Sequence, residues 1–433
     1  MFDDSNIIAG LEIGTSKICV VVGEQKAGGS LNIIGVGQSV SRGVRKGEII
    51  NPKEVDEDVR EAVAEAEQMA DVEIRSVYVG VTGGHIRSFN SRGFHRLDPP
   101  DREIFQEDVE DVVNNARAVS LPAENTLIHT IRQHFMVDGE CSVIDPVGMH
   151  GAKLEVDLHV IHGKANRLQD VIRLVLATSL EVNDTVFNGI ASSLALLTNE
   201  QKELGALVID MGGGITEYVV YSEGIVRHSG VLAVGGDHIT NDLAYGLKIS
   251  LRRAEKLKRE HGSAIVIESA KDQAVGVTDE RGMEIKRVKA GHVQIIMSAR
   301  LEEVFKIIAE DLAEAGLTDL LRAGIILCGG TSRVPGIATL AENIFHMNVM
   351  MGHADAISGL AKTLDEPEFA TAIGLVKYGA LRQRKPATRL SLWARIKELI
   401  KKLIGLLRYN RSEQLWVDGQ GKRDNVQTSH ELS

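Results

Sequence analysis

Residues 10–17 read GLEIGTSK and residues 208–216 read VIDMGGGIT. In both, a short apolar run carries one carboxylate and then breaks at glycine beside hydroxyl residues. Each is followed by a second apolar strand, over 18–22 and over 217–221. A glycine after a strand leaves backbone N–H groups with no Cβ in front of them, which is what a bound phosphate requires. A third run, IILCGGTSRVPG at 325–336, ends its strand at Gly329, Gly330 and Thr331. One such turn alone reads as a hairpin. Three of them, two behind a carboxylate and about 200 residues apart, read as an internal duplication around a phosphate site.

The chemistry assigns itself residue by residue. Gly14, Thr15 and Ser16 form the first turn, Gly212, Gly213 and Gly214 the second, and Gly329, Gly330 and Thr331 the third. The Thr216 hydroxyl can add a donor. Lys17 places a point charge on a terminal phosphate. Asp210, at a strand end, suits Mg²⁺ held through water, because that ion gives up its hydration reluctantly. Glu12 holds the equivalent place in the first copy. The GxxxxGK[ST] loop is absent, which excludes a P-loop NTPase, and no GxGxxG dinucleotide fingerprint is evident.

Working outward, strands are expected at 7–13, 18–22 and 31–36, a helix at 52–69 and a strand at 76–81. Residues 85–164 differ in texture. They read as strand 86–89, helix 106–118 and strands 126–137 and 154–162, a compact insert. A helix over 165–180 returns to the first pattern.

The chain has 433 residues, enough for two to four domains. Its 43% apolar and 25% charged residues exclude a wholly disordered chain. The net charge of −11 argues against a nucleic-acid binder. Three cysteines without a CxxC spacing argue against a disulfide framework and for a reducing compartment. The acidic start cannot serve as the basic region of a signal peptide, and no 18-residue stretch is free of charge, so no membrane-spanning helix is expected. The chain reads as cytoplasmic.

Its C-terminal region departs from the rest. Residues 382–408 hold nine Lys or Arg and one Glu. At 100° per residue, Leu392, Trp393, Ile396, Leu399, Ile400 and Leu403 share one arc with Ile404, Leu406 and Leu407. Arg395, Lys397, Glu398, Lys401, Lys402 and Arg408 occupy the other. A partner protein could cover such a face. The basic polar side, the leading Trp and the place after the last core element favour an anionic membrane surface, with the helix lying on it and not across it. Residues 381–390 read as a basic linker, and 409–433 as a polar, disordered tail.

These motifs resemble the actin/Hsp70/sugar-kinase superfamily. GLEIGTSK looks like its first phosphate motif, VIDMGGGIT its second and IILCGGTSRVPG its adenosine motif. NDTVFNGIASSLALL (183–197) and EFATAIGLVKYGA (368–380) look like its two connecting helices. Within it the chain is similar to the FtsA family over about residues 6–408, with further matching signals in PVGMHGAKLEV (146–156), EKLKREHG (255–262) and the C-terminal helix.

The resemblance implies an α/β, actin-like ATPase fold: two duplicated halves around a nucleotide cleft, with an FtsA-type 1C insert. It implies subdomain 1A at 1–84, 165–203 and 353–381, 1C at 85–164, 2A at 204–235 and 302–352, and 2B at 236–301. A linker at 382–391, the helix at 392–408 and the tail at 409–433 complete the chain. It implies ATP and Mg²⁺ as cofactors, with Gly235 and Gly236 near the nucleotide and Glu255 and Lys258 at the ribose; a solvated helix face is the plain alternative for Lys258. The family's hydrolysis-associated position falls on Asp184 by counting back from Ala191 and Ser192. The alternative there is a helix N-cap. Hydrolysis is expected to be slow at most. Glu217 departs from the family pattern after the second turn.

The implied function is cell division: ATP-dependent self-assembly into filaments that tether FtsZ to the inner face of the cytoplasmic membrane at the septum. Subdomain 2B would receive the FtsZ C-terminal peptide, with Lys289 and Arg300 as basic candidates or as ordinary surface charges. Subdomain 1C would receive other division proteins, and no nucleic acid is expected. The alternatives are a PilM-like pilus-assembly scaffold and a small-molecule kinase of the same superfamily.

Overall fold

The first turn shows why these residues fold as they do. β1 (Ile7–Ile13) runs antiparallel to β2 (Lys17–Gln25), from Ile7 opposite Glu24 to Ile13 opposite Ile18. The Gly14 amide donates to the Lys17 carbonyl at 3.0 Å and closes the turn. A Cβ on Gly14 would stand 2.7 Å from that same oxygen, so glycine alone fits. The computed structural model describes residues 7–26, 30–279, 281–354, 358–359 and 366–384. The expected membrane helix at 392–408, with its linker and tail, lies outside the described residues.

After β2 the chain forms β3 (Leu31–Val40), a short hairpin of β4 (Val44–Arg45) and β5 (Glu48–Ile49), α1 (Pro52–Ala70) and β6 (Ser76–Val81). Pro52 opens α1, where its missing N–H costs nothing. The helix buries Val55, Val59, Ala62, Ala66 and Ala70, spaced three or four apart. It lies hard on β3, because a Cβ on Gly37 would come within 1.9 Å of the Ala62 carbonyl oxygen.

The insert contains β7 (Arg87–Arg96), β8 (Arg102–Glu103), α2 (Gln106–Arg117), β9 (Asn125–Val137), β10 (Cys141–Val143), β11 (His150–Gly151) and β12 (Lys153–Lys164). Its main sheet has the order β10-β9-β12-β7. α2 covers one face, where a Cβ on Gly93 would meet the Val112 carbonyl oxygen at 2.5 Å. That face supplies the insert's own core of Phe135, Leu154, Val156, Leu158 and Val160. α3 (Ala165–Ala177) then leads to β13 (Glu181–Phe187), α4 (Asn188–Leu196) and α5 (Asn199–Leu204).

The second half repeats the first. β14 (Ala206–Met211) pairs antiparallel with β15 (Thr216–Ser222), and the Gly212 amide donates to the Ile215 carbonyl at 2.8 Å, the same three-residue closure as at Gly14. β16 (Ile225–Leu232) follows, then α6 (Gly236–Leu247), α7 (Leu251–His261), the hairpin β17 (Ala274–Thr278) and β18 (Glu284–Lys289), and α8 (Ala290–Glu314). β19 (Gly324–Cys328), α9 (Ile337–Phe345), β20 (Val349–Met351), β21 (Ser358–Gly359) and α10 (Ala370–Arg384) complete the described chain. The two large sheets have the orders β13-β6-β1-β2-β3-β21 and β16-β15-β14-β19-β20. In each, a strand–turn–strand hairpin adjoins parallel neighbours.

α4 and α10 pack between these sheets. Ile190, Ala191, Ala372, Ile373 and Val376 share one core with Cys19 and Val21 of the first sheet and Val208, Val219 and Cys328 of the second. The two helices touch backbone to backbone, since a Cβ on Gly374 would fall 1.7 Å from the Ala191 carbonyl oxygen.

Three expectations shift. The segment 183–197 is not one helix: residues 181–187 are strand and α4 begins at Asn188. The β-branched Val182, Thr185 and Val186 suit a sheet edge, and β13 pairs in parallel with β6. The insert strand expected over four residues extends to Arg96, because β12 pairs with it along its whole length. α8 runs unbroken through residue 301, where a subdomain boundary was expected.

Gly374→Ala should lower the thermal unfolding midpoint by several degrees, since an added methyl forces the α4–α10 crossing apart at a cost of about 1–3 kcal/mol. An unchanged calorimetric midpoint would show that the crossing tolerates it.

Candidate functional site

The three glycine turns converge from both halves. A Cβ on Gly213 would meet Ser16 Oγ at 3.2 Å, and one on Gly214 would meet Thr15 Oγ1 at 2.6 Å, so the first and second turns abut. The Thr331 hydroxyl donates to the Gly212 carbonyl at 2.8 Å, which brings in the third. Between them lies a cavity of about 690 Å³. Glu12, Gly14, Thr15, Ser16 and Lys17 line it from the first half, Asp210, Gly212 and Gly213 from the second turn, and Gly329, Gly330 and Thr331 from the third. A Cβ on Gly330 would meet nothing within 4 Å.

α6 begins at this cavity. The Gly236 amide donates to Gly212 O (3.0 Å) and the Asp237 amide to Gly213 O (2.7 Å). The helix N-terminus thus sits beside the second turn, a favourable place for an anion. Gly236, Glu255 and Lys258 form the outer wall. Lys258 Nζ donates to Gly236 O (3.1 Å) and Thr240 Oγ1 (2.9 Å) and pairs with Glu255 at 2.6 Å. Lys258 is therefore part of the wall and not a solvated helix face. Gly214, Thr216 and Gly235 shape the turns from behind. The Thr216 hydroxyl donates to Val234 O at 2.8 Å, and a Cβ on Gly235 would stand 2.5 Å from Gly212 O.

Lys17 is the charged centre. Its ammonium donates to the Glu368 carbonyl at 2.5 Å, lies 3.7 Å from Glu12 Oε2 and sits over the Phe369 ring at 4.5 Å. Burial works against its charge, but the surrounding acidic groups outweigh that and raise its pKa. Glu12 goes up to about 7, mainly through burial, with Lys17 pulling the other way. Burial also raises Asp210, whose Oδ2 accepts from the Thr371 hydroxyl at 2.8 Å. Glu12 Oε2 and Glu368 Oε2 are buried without a hydrogen-bond partner.

Reasoning from sequence named residues 368–380 as a connecting helix but did not place their start in the site. Glu368 and Thr371 line the cavity and touch both halves, while Arg333 pairs with Glu366 (3.2 Å) and Glu368 (2.7 Å). Only the carboxylate and hydroxyl in EFAT signalled it. The departure at Glu217 does not disturb β15, where Glu217 faces Asp210 in regular register. Buried beside Asp210, its carboxyl is held well above the usual range and accepts from the Thr82 hydroxyl of the first half at 2.7 Å.

Asp184 stands apart from the cavity. It lies on β13 level with Tyr78 and Gly10, three residues back from the strand end, and is neither a helix cap nor a cavity-lining residue. Its carboxylate accepts from the Tyr378 hydroxyl at 2.9 Å. Phe187 is the residue level with Val81 at the end of β6, and Asn188 follows it as the first residue of α4. The two basic partner candidates are already paired. Arg300 holds Asp242 at 2.6 Å and also Glu303, and Lys289 holds Asp272 at 2.7 Å.

Solved structures with this architecture include a PilM–PilN type IV pilus biogenesis complex (TM-score 0.61, 18% identity, 88% of this chain and 99% of that one). MreB5 of Spiroplasma citri bound to ADP is another (TM-score 0.53, 12% identity, 89% and 100%). The fold is thus an actin-like ATPase fold carrying an inserted domain. Two family models match: "Cell division protein FtsA" over residues 207–374 and "SHS2 domain inserted in FTSA" over 83–162. Curated FtsA proteins are 36% identical over 377 residues in Pseudomonas aeruginosa (87% of this chain, 90% of that protein) and 34% over 383 residues in Escherichia coli (87% and 91%). The chain belongs to the FtsA family of cell division proteins.

Glu12 supplies a test of the site's electrostatics. Its folded pKa lies above the unfolded value, so the ligand-free protein should lose stability as pH rises from about 4.5 to about 7. Glu12→Gln should flatten that fall in denaturant titrations at pH 5 and 7, and an unchanged slope would assign it to other groups.

Proposed function

We propose that the cleft binds ATP with Mg²⁺ as a conformational ligand, and that the protein assembles on the membrane and tethers FtsZ there. The observation that carries the nucleotide reading is the meeting of the first and second turns around Lys17, with the third turn hydrogen-bonded to the second. In this reading the turn amides that do not close the hairpins donate to phosphate oxygens, the positive end of the α6 dipole faces them, and Lys17 neutralises their charge. Glu255, Lys258 and Gly236 face the sugar. The orphaned Glu12 Oε2 fits a cation site in which Glu12 and Asp210 act through water. Among the described residues no three His, Cys, Asp or Glu side chains converge as a direct metal shell. Bound Mg²⁺ would offset phosphate charge. Hydrolysis has no assigned base, because Asp184 is tied to Tyr378.

Assembly then follows from geometry. A ligand touching both halves fixes the angle between them, and that angle sets whether head-to-tail copies fit. Filament formation multiplies a weak surface helix by avidity. The basic amphipathic run from Leu392 and Trp393 through Lys401 and Lys402 to Leu403 is the membrane element of this reading. Among the described residues no helix is long and apolar enough to cross a membrane. The FtsZ C-terminal peptide is placed on the face of residues 236–301. Other division proteins are placed on the insert.

Lys17→Ala removes a buried charge-assisted contact and should weaken ATP binding ~10–100-fold by calorimetry. Wild-type affinity would refute the phosphate reading. Trp393→Glu should abolish co-sedimentation with anionic vesicles and, with ATP present, the recruitment of labelled FtsZ to them. Full retention would move the membrane element elsewhere.

A further inference from the structure

The insert sheet has a second face, and it is polar. On β7, Ser88 and Asn90 lie opposite Ile161 and His159 of β12, so these four side chains share a face. A bulge in β9 matters here. The β9–β12 register shifts between Val156 opposite Phe135 and Leu158 opposite Arg132. The shift turns Phe135 into the insert's own core while Gln133 stays on the polar face.

That face meets β16, the edge strand of the second half's sheet. The Ser88 hydroxyl donates to the Ser229 carbonyl at 2.5 Å. Asn90 Nδ2 donates to Arg227 O at 3.2 Å, and Gln133 Nε2 to Val226 O at 2.7 Å. His159 is fully buried, and that burial holds its pKa down at about 3, so the ring is neutral. With Asn90 Oδ1 at 2.8 Å from Nδ1 and Ser229 Oγ at 2.8 Å from Nε2, the ring donates to Asn90 and accepts from the Ser229 hydroxyl. Insert side chains therefore engage the Val226, Arg227 and Ser229 carbonyls and the Ser229 hydroxyl along an edge that would otherwise be open. Around this seam, Ile86, Ile128, Ile131 and Ile161 belong to one apolar cluster with Val219, Tyr221 and Val226 of the second half and Val186 and Phe187 of the first.

The attachment to the first half is narrower. The chain enters the insert past Gly83 (φ +137°) and Gly84 and leaves it past Gly163. The two crossings lie side by side: a Cβ on Gly163 would meet His85 Nδ1 at 2.9 Å, and the Lys164 amide donates to that nitrogen at 3.2 Å. Beyond the crossings, the Phe187 amide donates to His129 Nε2 at 3.0 Å.

We propose that the insert travels with the second half: its polar face is latched to the β16 edge, and it turns about the paired glycine crossings whenever the angle between the halves changes. The insert thereby reports cleft occupancy to whatever protein docks on it. The trigger rests on the nucleotide reading above; the latch does not.

Both parts are tested in the full chain. Spin labels at the exposed positions Asn114→Cys (insert), Glu314→Cys (second half) and Glu61→Cys (first half), in a Cys141→Ser background, give two distances. Between ATP·Mg²⁺ and ADP·Mg²⁺ the 114–314 distance should hold while the 114–61 distance shifts. A fixed 114–61 distance with a shifting 114–314 distance, or two fixed distances despite calorimetric binding, overturns the proposal. Absence of nucleotide binding refutes the cleft reading instead and leaves the latch to a nucleotide-free arm. There, Ser229→Val should accelerate amide exchange at 87–91, 157–161 and 226–230 together, and Ser229→Thr should restore protection. Acceleration confined to 226–230 overturns the latch.

Discussion

A buried ammonium at the junction of two half-molecules needs countercharge from both of them. Lys17 obtains it from Glu12 beside it, from the Glu368 carbonyl before α10 and from Asp210 across the cleft. Much of the architecture follows. The hairpins of β1–β2 and β14–β15 must end at the same point, so both turn on glycine with the same three-residue closure. α10 must begin between them, which places Thr371 on Asp210. The carboxylates left with too little solvent rise in pKa.

What lets helices pack so closely is the absence of side chains at chosen backbone crossings. Gly374 admits α10 against α4, and Gly37 admits α1 against β3. These contacts bury continuous apolar clusters that run from one sheet to the other. Beside this apolar centre the seam between insert and β16 adds neutral donors and acceptors that hydrogen-bond across it. A matched polar seam specifies one docking geometry more sharply than an oily one does.

Much of this was legible in the sequence. The strand–acid–glycine pattern is local, so the turns, their carboxylates and the duplication were readable from residues 10–17 and 208–216 alone. The helical reading of 183–197 passed over the Asn188-Gly189 pair, which marks the strand-to-helix boundary and leaves Asp184 on the strand. Glu368 and Thr371 were missed because their roles depend on a helix N-terminus arriving from far away in sequence, 161 residues from Asp210 for Thr371 and 351 from Lys17 for Glu368, which no local pattern records. The seam was invisible for the same reason. Ser88, Asn90, Gln133 and His159 carry no local signal of the β16 edge they meet.

The most direct test of the account is amide exchange at the three glycine turns with and without ATP·Mg²⁺. One ligand held by both halves protects residues 14–17, 212–214 and 329–331 together and in the same concentration range. Protection at a single turn, or at none of them while the ligand binds elsewhere, contradicts the convergence on which the account depends.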